Sequence, residues 1–240
     1  MKEHIHTIPV VEALRAPGAC AFCAMTRTLE EEAIRFIMGP AYMEADVRAK
    51  TDKSGFCRRH MDAMHKEQNR LGLALMLHTH LQELSRNIKS LADYAAKPTL
   101  FGAGSDAYVE KMAGHLAATC DDCYVCQSVG GTFASYVDTF FSLWADDGLE
   151  SDLILMQKSF CLKHFTVLLQ YAAKLGAKRR KKFANEIMPI WHKSMERLEA
   201  DLERFIKKFD CNYKEEPWEN AKDALPRALA LLGGRGAAGG

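Results

Sequence analysis

No stretch of the 240 residues alternates β-branched and polar side chains with period two, so nothing in the chain reads as a strand and the expected fold class is all-α. Long apolar runs are also missing. Leu73-Ala74-Leu75-Met76-Leu77 is typical of the longest, far below the ~18 residues of a membrane span. Neither sign of charge prevails, since 32 Lys and Arg face 31 Asp and Glu for a formal net charge of +1. Bulk attraction to nucleic acid or to an anionic membrane is therefore not expected. The start, Met1-Lys2-Glu3-His4-Ile5-His6, lacks a signal-peptide core, which points to the cytoplasm.

A catalytic constellation is absent as well. His65 and His115 have no nucleophile or carboxylate partner identifiable near them. His78 and His80 are two residues apart and fall on different faces of a helix. The Glu30-Glu31-Glu32 cluster lacks the Glu-x-x-His helices of di-iron bundles, and Gly102-Ala103-Gly104 lacks the lysine of a phosphate loop. Lys178-Arg179-Arg180-Lys181-Lys182 is followed on the same helical pattern by Glu186, Glu196 and Glu199, so it reads as a solvated face. A non-enzymatic protein is the expectation, with an unidentified protein as the partner to be sought.

What the chain does have is cysteine and histidine, 8 and 9 respectively, in an ordered pattern. Cys20-x-x-Cys23 is followed by Cys57-x-x-His60, and Cys123-x-x-Cys126 by Cys161-x-x-His164. Composition alone gives roughly 0.3 of each pair type by chance, yet two of each occur in the same order and at offsets of 103 or 104 residues, beside the overlapping Cys120-x-x-Cys123. Similarity extends beyond these positions, since Gly55-Phe56-Cys57-Arg58-Arg59-His60 aligns with Ser159-Phe160-Cys161-Leu162-Lys163-His164. The pattern implies an internal duplication into two similar helical halves packed as a bundle.

Periodicity places the elements. Leu29, Ala33, Ile34, Ile37 and Met38 mark a helix from Cys20, stopped by Gly39-Pro40. Residues 41–54 read as a polar return, and 57–96 as one long helical pattern. The segment 97–104 breaks periodicity between the halves. Helices are then expected near 105–118, from Cys123 to Asp146, around 149–157, and from Phe160 to Phe209. The expected organisation is an extended N-terminal arm (1–17), a first metal-binding repeat (18–97), a linker with a connecting helix (98–122), a second repeat (123–210), and a C-terminal extension (211–240) with a flexible tail from Gly233.

Thiolates and neutral imidazole suit Zn²⁺, which takes four ligands tetrahedrally in structural sites. Each half supplies three Cys and one His, so the expected cofactor is two zinc ions, one held by Cys20, Cys23, Cys57 and His60 and the other by Cys123, Cys126, Cys161 and His164. A spacing of i, i+3 fits the first turn of a helix, so every motif should mark a helix start. The ligand pairs stand too far apart for a zinc finger, which removes the nucleic-acid-binding reading. An iron–sulfur cluster is the alternative, with Cys120 as a spare thiol. Buried unligated cysteines would not explain two registered tetrads. Thiol–disulfide exchange lacks its βαβ setting, and Ala24 and Gln127 exclude a c-type haem. Cys120 and Cys211 have no counterparts in the first half and should be dispensable.

The segments Thr51-Asp52-Lys53-Ser54-Gly55-Phe56-Cys57-Arg58-Arg59-His60, Asn69-Arg70-Leu71-Gly72 through His80, and Phe205-Ile206-Lys207-Lys208-Phe209-Asp210 with Pro217-Trp218 and Lys222-Asp223-Ala224-Leu225-Pro226-Arg227 resemble a bacterial domain-of-unknown-function family, number 6062, common in anaerobes. The resemblance covers nearly the whole chain. It implies a bacterial cytoplasmic protein with paired Cys/His motifs and no assigned activity, and an anaerobic host favours the iron–sulfur alternative.

Overall fold

The computed structural model describes residues 5–18, 20–95, 104–146 and 148–234. Among these residues there are twelve α-helices and no strand: α1 (Thr7–Arg15), α2 (Ala21–Met38), α3 (Ala45–Ser54), α4 (Arg58–Lys66), α5 (Arg70–Ala95), α6 (Gly104–Asp121), α7 (Tyr124–Ala145), α8 (Leu149–Leu155), α9 (Leu162–Ala172), α10 (Ala177–Glu186), α11 (Met188–Lys207) and α12 (Ala224–Gly233). The all-α expectation holds. The expected break over 97–104 falls outside the described residues apart from Gly104, which opens α6.

Four local expectations are corrected. The N-terminal segment is not an extended arm, because Val10, Val11 and Leu14 share one face of α1 and are buried there. The return over 41–54 is largely the helix α3, which hides Val47, Thr51 and Ser54. The pattern over 57–96 is interrupted between α4 and α5, where the Asn69 side chain accepts from the Gly72 N–H (2.9 Å) and donates to the Met38 carbonyl (2.8 Å). A side chain that caps a helix and ties it to another one starts a new element. The pattern from Phe160 to Phe209 divides into α9, α10 and α11, with Gly176 at the N-cap of α10 and Pro189 in the first turn of α11. Proline lacks the N–H that a continuing helix needs and fits best at a helix start.

Contacts divide the chain into two compact units, residues 28–132 and residues 1–27 together with 133–240. These units cut across the expected halves of 18–97 and 123–210, since the division falls inside α2 and inside α7. In the unit 28–132, α5 packs on α3, α4 and α6, over buried Ile37, Val47, Met64 and Met76. Gly55 ends α3 at φ +58° and ψ −152°, a positive-φ conformation open to glycine at little cost.

The second unit has an aromatic core. Phe22, Phe140 and Phe160 pack within centroid distances of 5.0–6.2 Å, and Phe165 stacks on Trp191 at 4.6 Å. α1 packs on α8, and Gln157 donates to the Leu14 carbonyl (2.9 Å). The C-terminal extension is folded: Ala224, Ala228 and Leu231 of α12 bury against Leu198, Leu202 and Phe205 of α11. Lys208 is buried but satisfied, donating to the carbonyls of Tyr213 and Lys214 (3.0 Å each) and of Glu216. Gly233 ends α12 and Gly234 is buried in a left-handed turn (φ +75°). The expected flexible tail therefore starts too early in the sequence reading, and its remaining residues, 235–240, lie outside the described residues.

Candidate metal centres

All four motifs mark helix starts, as their i, i+3 spacing predicts. Cys20 and Cys123 directly precede α2 and α7, which places Cys23 and Cys126 in the first turns. Cys57 and Cys161 are the N-cap residues of α4 and α9, and their backbones match closely, with φ and ψ of −70° and 158° in one and −69° and 157° in the other. Phe56 and Phe160, the residues before them, are both buried. A cap residue and the third residue of the helix project past the same helix end, where unpaired N–H groups favour anionic sulfur.

The motifs converge in two groups of four donors, each group with all its ligand atoms within 4.8 Å of one another: Cys20, Cys23, Cys161 and His164 in one, and Cys57, His60, Cys123 and Cys126 in the other. All eight expected residues fall in these two groups, but the expected grouping by halves is corrected to a crosswise one. The reason lies in the long helices. The first residues of α2, up to Arg27, belong to the unit that holds Cys20 and Cys23, and the rest of α2 belongs to 28–132, where Cys57 and His60 follow. α7 returns the chain in the same manner, from Cys123 and Cys126 to the unit of Cys161 and His164. Each centre thus lies wholly inside one unit.

In the centre of residues 1–27 and 133–240, His164 Nδ1 lies 3.6, 3.4 and 3.2 Å from the sulfurs of Cys20, Cys23 and Cys161, and the Cys23 and Cys161 sulfurs are 3.6 Å apart. The Phe22 and Phe133 rings flank His164 at 5.9 and 5.3 Å. Its Nε2 stands 3.4 Å from the Thr26 hydroxyl, whose own proton goes to the Phe22 carbonyl (2.8 Å). In the centre of residues 28–132, His60 Nδ1 lies 3.3, 3.3 and 3.5 Å from the sulfurs of Cys57, Cys123 and Cys126. Here Arg59 Nη2 stands 3.0 Å from His60 Nε2 and pairs with Glu30 at 2.7 Å. The Gly55 carbonyl accepts from the Tyr124 N–H (3.0 Å), joining the two motifs of this centre through the backbone.

These surroundings set the protons of the metal-free protein. Hydrogen bonds with Cys161 and Cys20, then burial, hold the Cys23 thiol well above its ordinary range. Cys161 is held well below it by hydrogen bonds from Cys20 and Cys23, against the effect of burial. Burial by itself lowers His164, but the Cys161 and Cys20 sulfurs outweigh it and lift the imidazole to about 9. His60 differs, since burial and then the Arg59 charge push it down. Cys126 is exposed as a residue, yet partial desolvation of its thiol, followed by its hydrogen bond and charge interaction with Cys123, pushes it up to about 12. Cys57 is opposed by burial yet falls below its ordinary value through hydrogen bonds with His60, Cys123 and Cys126 and through the charge of Arg59.

Both donor sets, three thiols and one imidazole each, are compatible with holding a single metal ion. Cys120 and Cys211 belong to neither group, and both are exposed. Sequence reasoning missed the residues around the ligands: Thr26, Arg59 with Glu30, Gly55, and the Gly234 carbonyl, 2.7 Å from Cys23 Sγ. Only Gly234 carried a signal, an apolar pattern over 225–232 that ends in the glycine pair of a helix C-cap.

A family of unknown function, DUF6062, matches residues 1–238. The chain belongs to this family. No curated protein and no solved structure matches the chain. The family carries no activity to transfer, so the reading of the two centres rests on their own chemistry.

Proposed function

We propose that the protein is a non-enzymatic, partner-binding scaffold in which two structural zinc ions each close one helical unit. Cys20, Cys23, Cys161 and His164 hold one ion, and Cys57, His60, Cys123 and Cys126 hold the other. The observation that carries this reading is the donor spacing. Tetrahedral zinc, with bonds of about 2.3 Å to sulfur and about 2.0–2.1 Å to nitrogen, separates its sulfurs by roughly 3.8 Å and sulfur from nitrogen by roughly 3.6 Å. The Cys23–Cys161 and Cys57–Cys126 sulfur pairs stand at 3.6 and 3.9 Å, all the ligand atoms of each group lie within 4.8 Å of one another, and the sulfur–nitrogen pairs stand at 3.2–3.6 Å.

A structural role follows from the completeness of each set, since four protein donors leave no open position for substrate. Ligation through His164 Nδ1 puts that ring's proton on Nε2, where the Thr26 oxygen can accept it. At His60 the same ligation places a proton opposite Arg59, whose guanidinium would then turn toward Glu30 alone. The iron–sulfur alternative is less well supported, because a cluster places its own atoms between the ligands and spreads them beyond the separation around one ion, and its spare thiol Cys120 lies outside both groups.

Anaerobic purification followed by metal analysis and an absorption spectrum tests the reading. Two zinc per chain and no colour are expected. Brown protein containing iron and labile sulfide would replace it with the iron–sulfur reading.

A further inference from the structure

The two centres share a ligand set and differ in what shields the sulfurs. In the first, Cys20 and Cys161 are buried and Cys23 is half-buried. Gly234 closes over them, its carbonyl 2.7 Å from Cys23 Sγ and its Cα so near that an added Cβ would lie 3.5 Å from Cys161 Sγ. In the second centre only Cys123 and His60 are buried. Cys126 is exposed, Cys57 is half-exposed, and their sulfurs stand 3.9 Å apart.

We infer that Cys57 and Cys126 are an oxidation site: a hydroperoxide joins them in a disulfide and expels the ion of the second centre, while the first centre keeps its ion. The inference rests on the zinc reading above and adds to it a difference between the two sites.

The chemistry requires one co-reactant, a hydroperoxide. As a ligand of the ion Cys126 is deprotonated, and its thiolate, on an exposed residue, attacks the terminal peroxide oxygen. An S–O bond forms, the O–O bond breaks, and the alkoxide (hydroxide, for hydrogen peroxide) leaves and takes a proton from water. Cys57 thiolate then attacks the Cys126 sulfur, forming the S–S bond as the S–O bond breaks and hydroxide leaves. Two thiolates lose two electrons in total, and the peroxide gains them. The sulfurs must close from 3.9 Å to about 2.05 Å, a movement within reach of side-chain rotation at an N-cap and in a first helical turn. Cys57 is favoured over Cys123 as the resolving thiol because Cys123 is only 2% exposed. Loss of two of four ligands leaves the ion with Cys123 and His60 alone, too few for a closed tetrahedral site.

The same reagent meets a different surface at the first centre. Cys23 and Cys161 are no farther apart, at 3.6 Å, so sulfur proximity does not separate the centres. Access does, since Cys161 is 1% exposed.

The test uses the full-length, zinc-loaded protein, with zinc content measured before treatment. Hydrogen peroxide is added in modest excess, release is followed with a chromogenic zinc indicator, and disulfides are mapped by non-reducing peptide mass spectrometry. One of two zinc ions should be released, with Cys57 linked to Cys126, and a thiol reductant with added zinc should restore the second ion. A Cys120→Ser/Cys211→Ser variant, which removes the other exposed thiols, should release the same single ion. Retention of both ions, loss of both together, or a disulfide at Cys23–Cys161 or through Cys120 overturns the inference while leaving the zinc reading intact. Protein that carries no zinc before oxidation overturns the zinc reading itself.

Discussion

The sulfur of Cys23 lies 3.6 Å from that of Cys161, a residue 138 positions further along the chain. That contact makes the metal centre of residues 1–27 and 133–240 a long-range closure. Removing one ligand should therefore act on residues far away in sequence and spare nearer ones. In Cys161→Ala, one zinc should be lost, and alkylation should reach Cys20 and Cys23 while Cys123 stays protected. Grouping of the ligands by sequence halves would expose Cys123 and Cys126 instead. Because a structural ion shares its binding free energy with folding, destabilisation of several kcal/mol is expected, seen as a lower melting temperature.

Cys120 and Cys211 lie outside both donor groups and are exposed. Serine at either position should leave two zinc per chain and a melting temperature within about 1 °C of the parent protein, as expected for surface substitutions worth less than about 0.5 kcal/mol. Loss of metal in Cys120→Ser would show that the overlapping pair Cys120 and Cys123 supplies the ligands.

Gly55 is a sensitive position without being a ligand. Its φ of +58° would strain any Cβ, and that Cβ would lie 2.5 Å from His80 Nε2. His80 cannot withdraw freely, because its Nδ1 is bonded to the Asp52 carbonyl at 2.8 Å. Gly55→Ala should cost about 1–3 kcal/mol from a backbone conformation that is nearly exclusive to glycine. Its effect should be centred on residues 28–132, where the Gly55 carbonyl joins the Cys57 and Cys123 motifs through Tyr124. Hydrogen-exchange mass spectrometry should find faster exchange there and weaker zinc retention at that centre alone.

The two histidines should titrate in opposite directions once metal is stripped. His164, lifted to about 9 by the Cys161 and Cys20 sulfurs over the cost of burial, contributes stability in full below its unfolded value of 6.5 and loses it as the pH rises through about 9. His60 is lowered by burial and Arg59, so its neutral ring is favoured by folding. That contribution is present above pH 6.5 and falls away as the unfolded ring takes up a proton at lower pH. Ring ¹⁵N shifts of the metal-free protein should show His164 as imidazolium and His60 as neutral imidazole at neutral pH. The reverse order would mean that the thiol environments are assigned to the wrong centres.

Much of this protein is legible in its sequence. The eight donors, their chemistry and their position at helix starts follow from local rules, because an i, i+3 pair at a helix terminus needs only its own turn. Helix type and the starts of α2, α4, α6, α7, α8 and α9 follow from apolar period, from the ligand motifs and from breakers such as Gly39-Pro40. Less legible were α1, too short to show a strong period, and the breaks at Asn69 and Pro189, where a cap or a missing N–H interrupts an apolar stripe that runs on past it. Which pair meets which was beyond local reading. The loop between Cys23 and Cys57 is long enough for either pairing, and an internal repeat suggests closure within each copy. Tertiary structure decides otherwise, because the division between the units falls inside α2 and inside α7, which separates Cys20 and Cys23 from Cys57 and His60, and Cys123 and Cys126 from Cys161 and His164. Sequence spacing bounds how far a chain can reach, but the direction in which a long helix carries it is settled by packing.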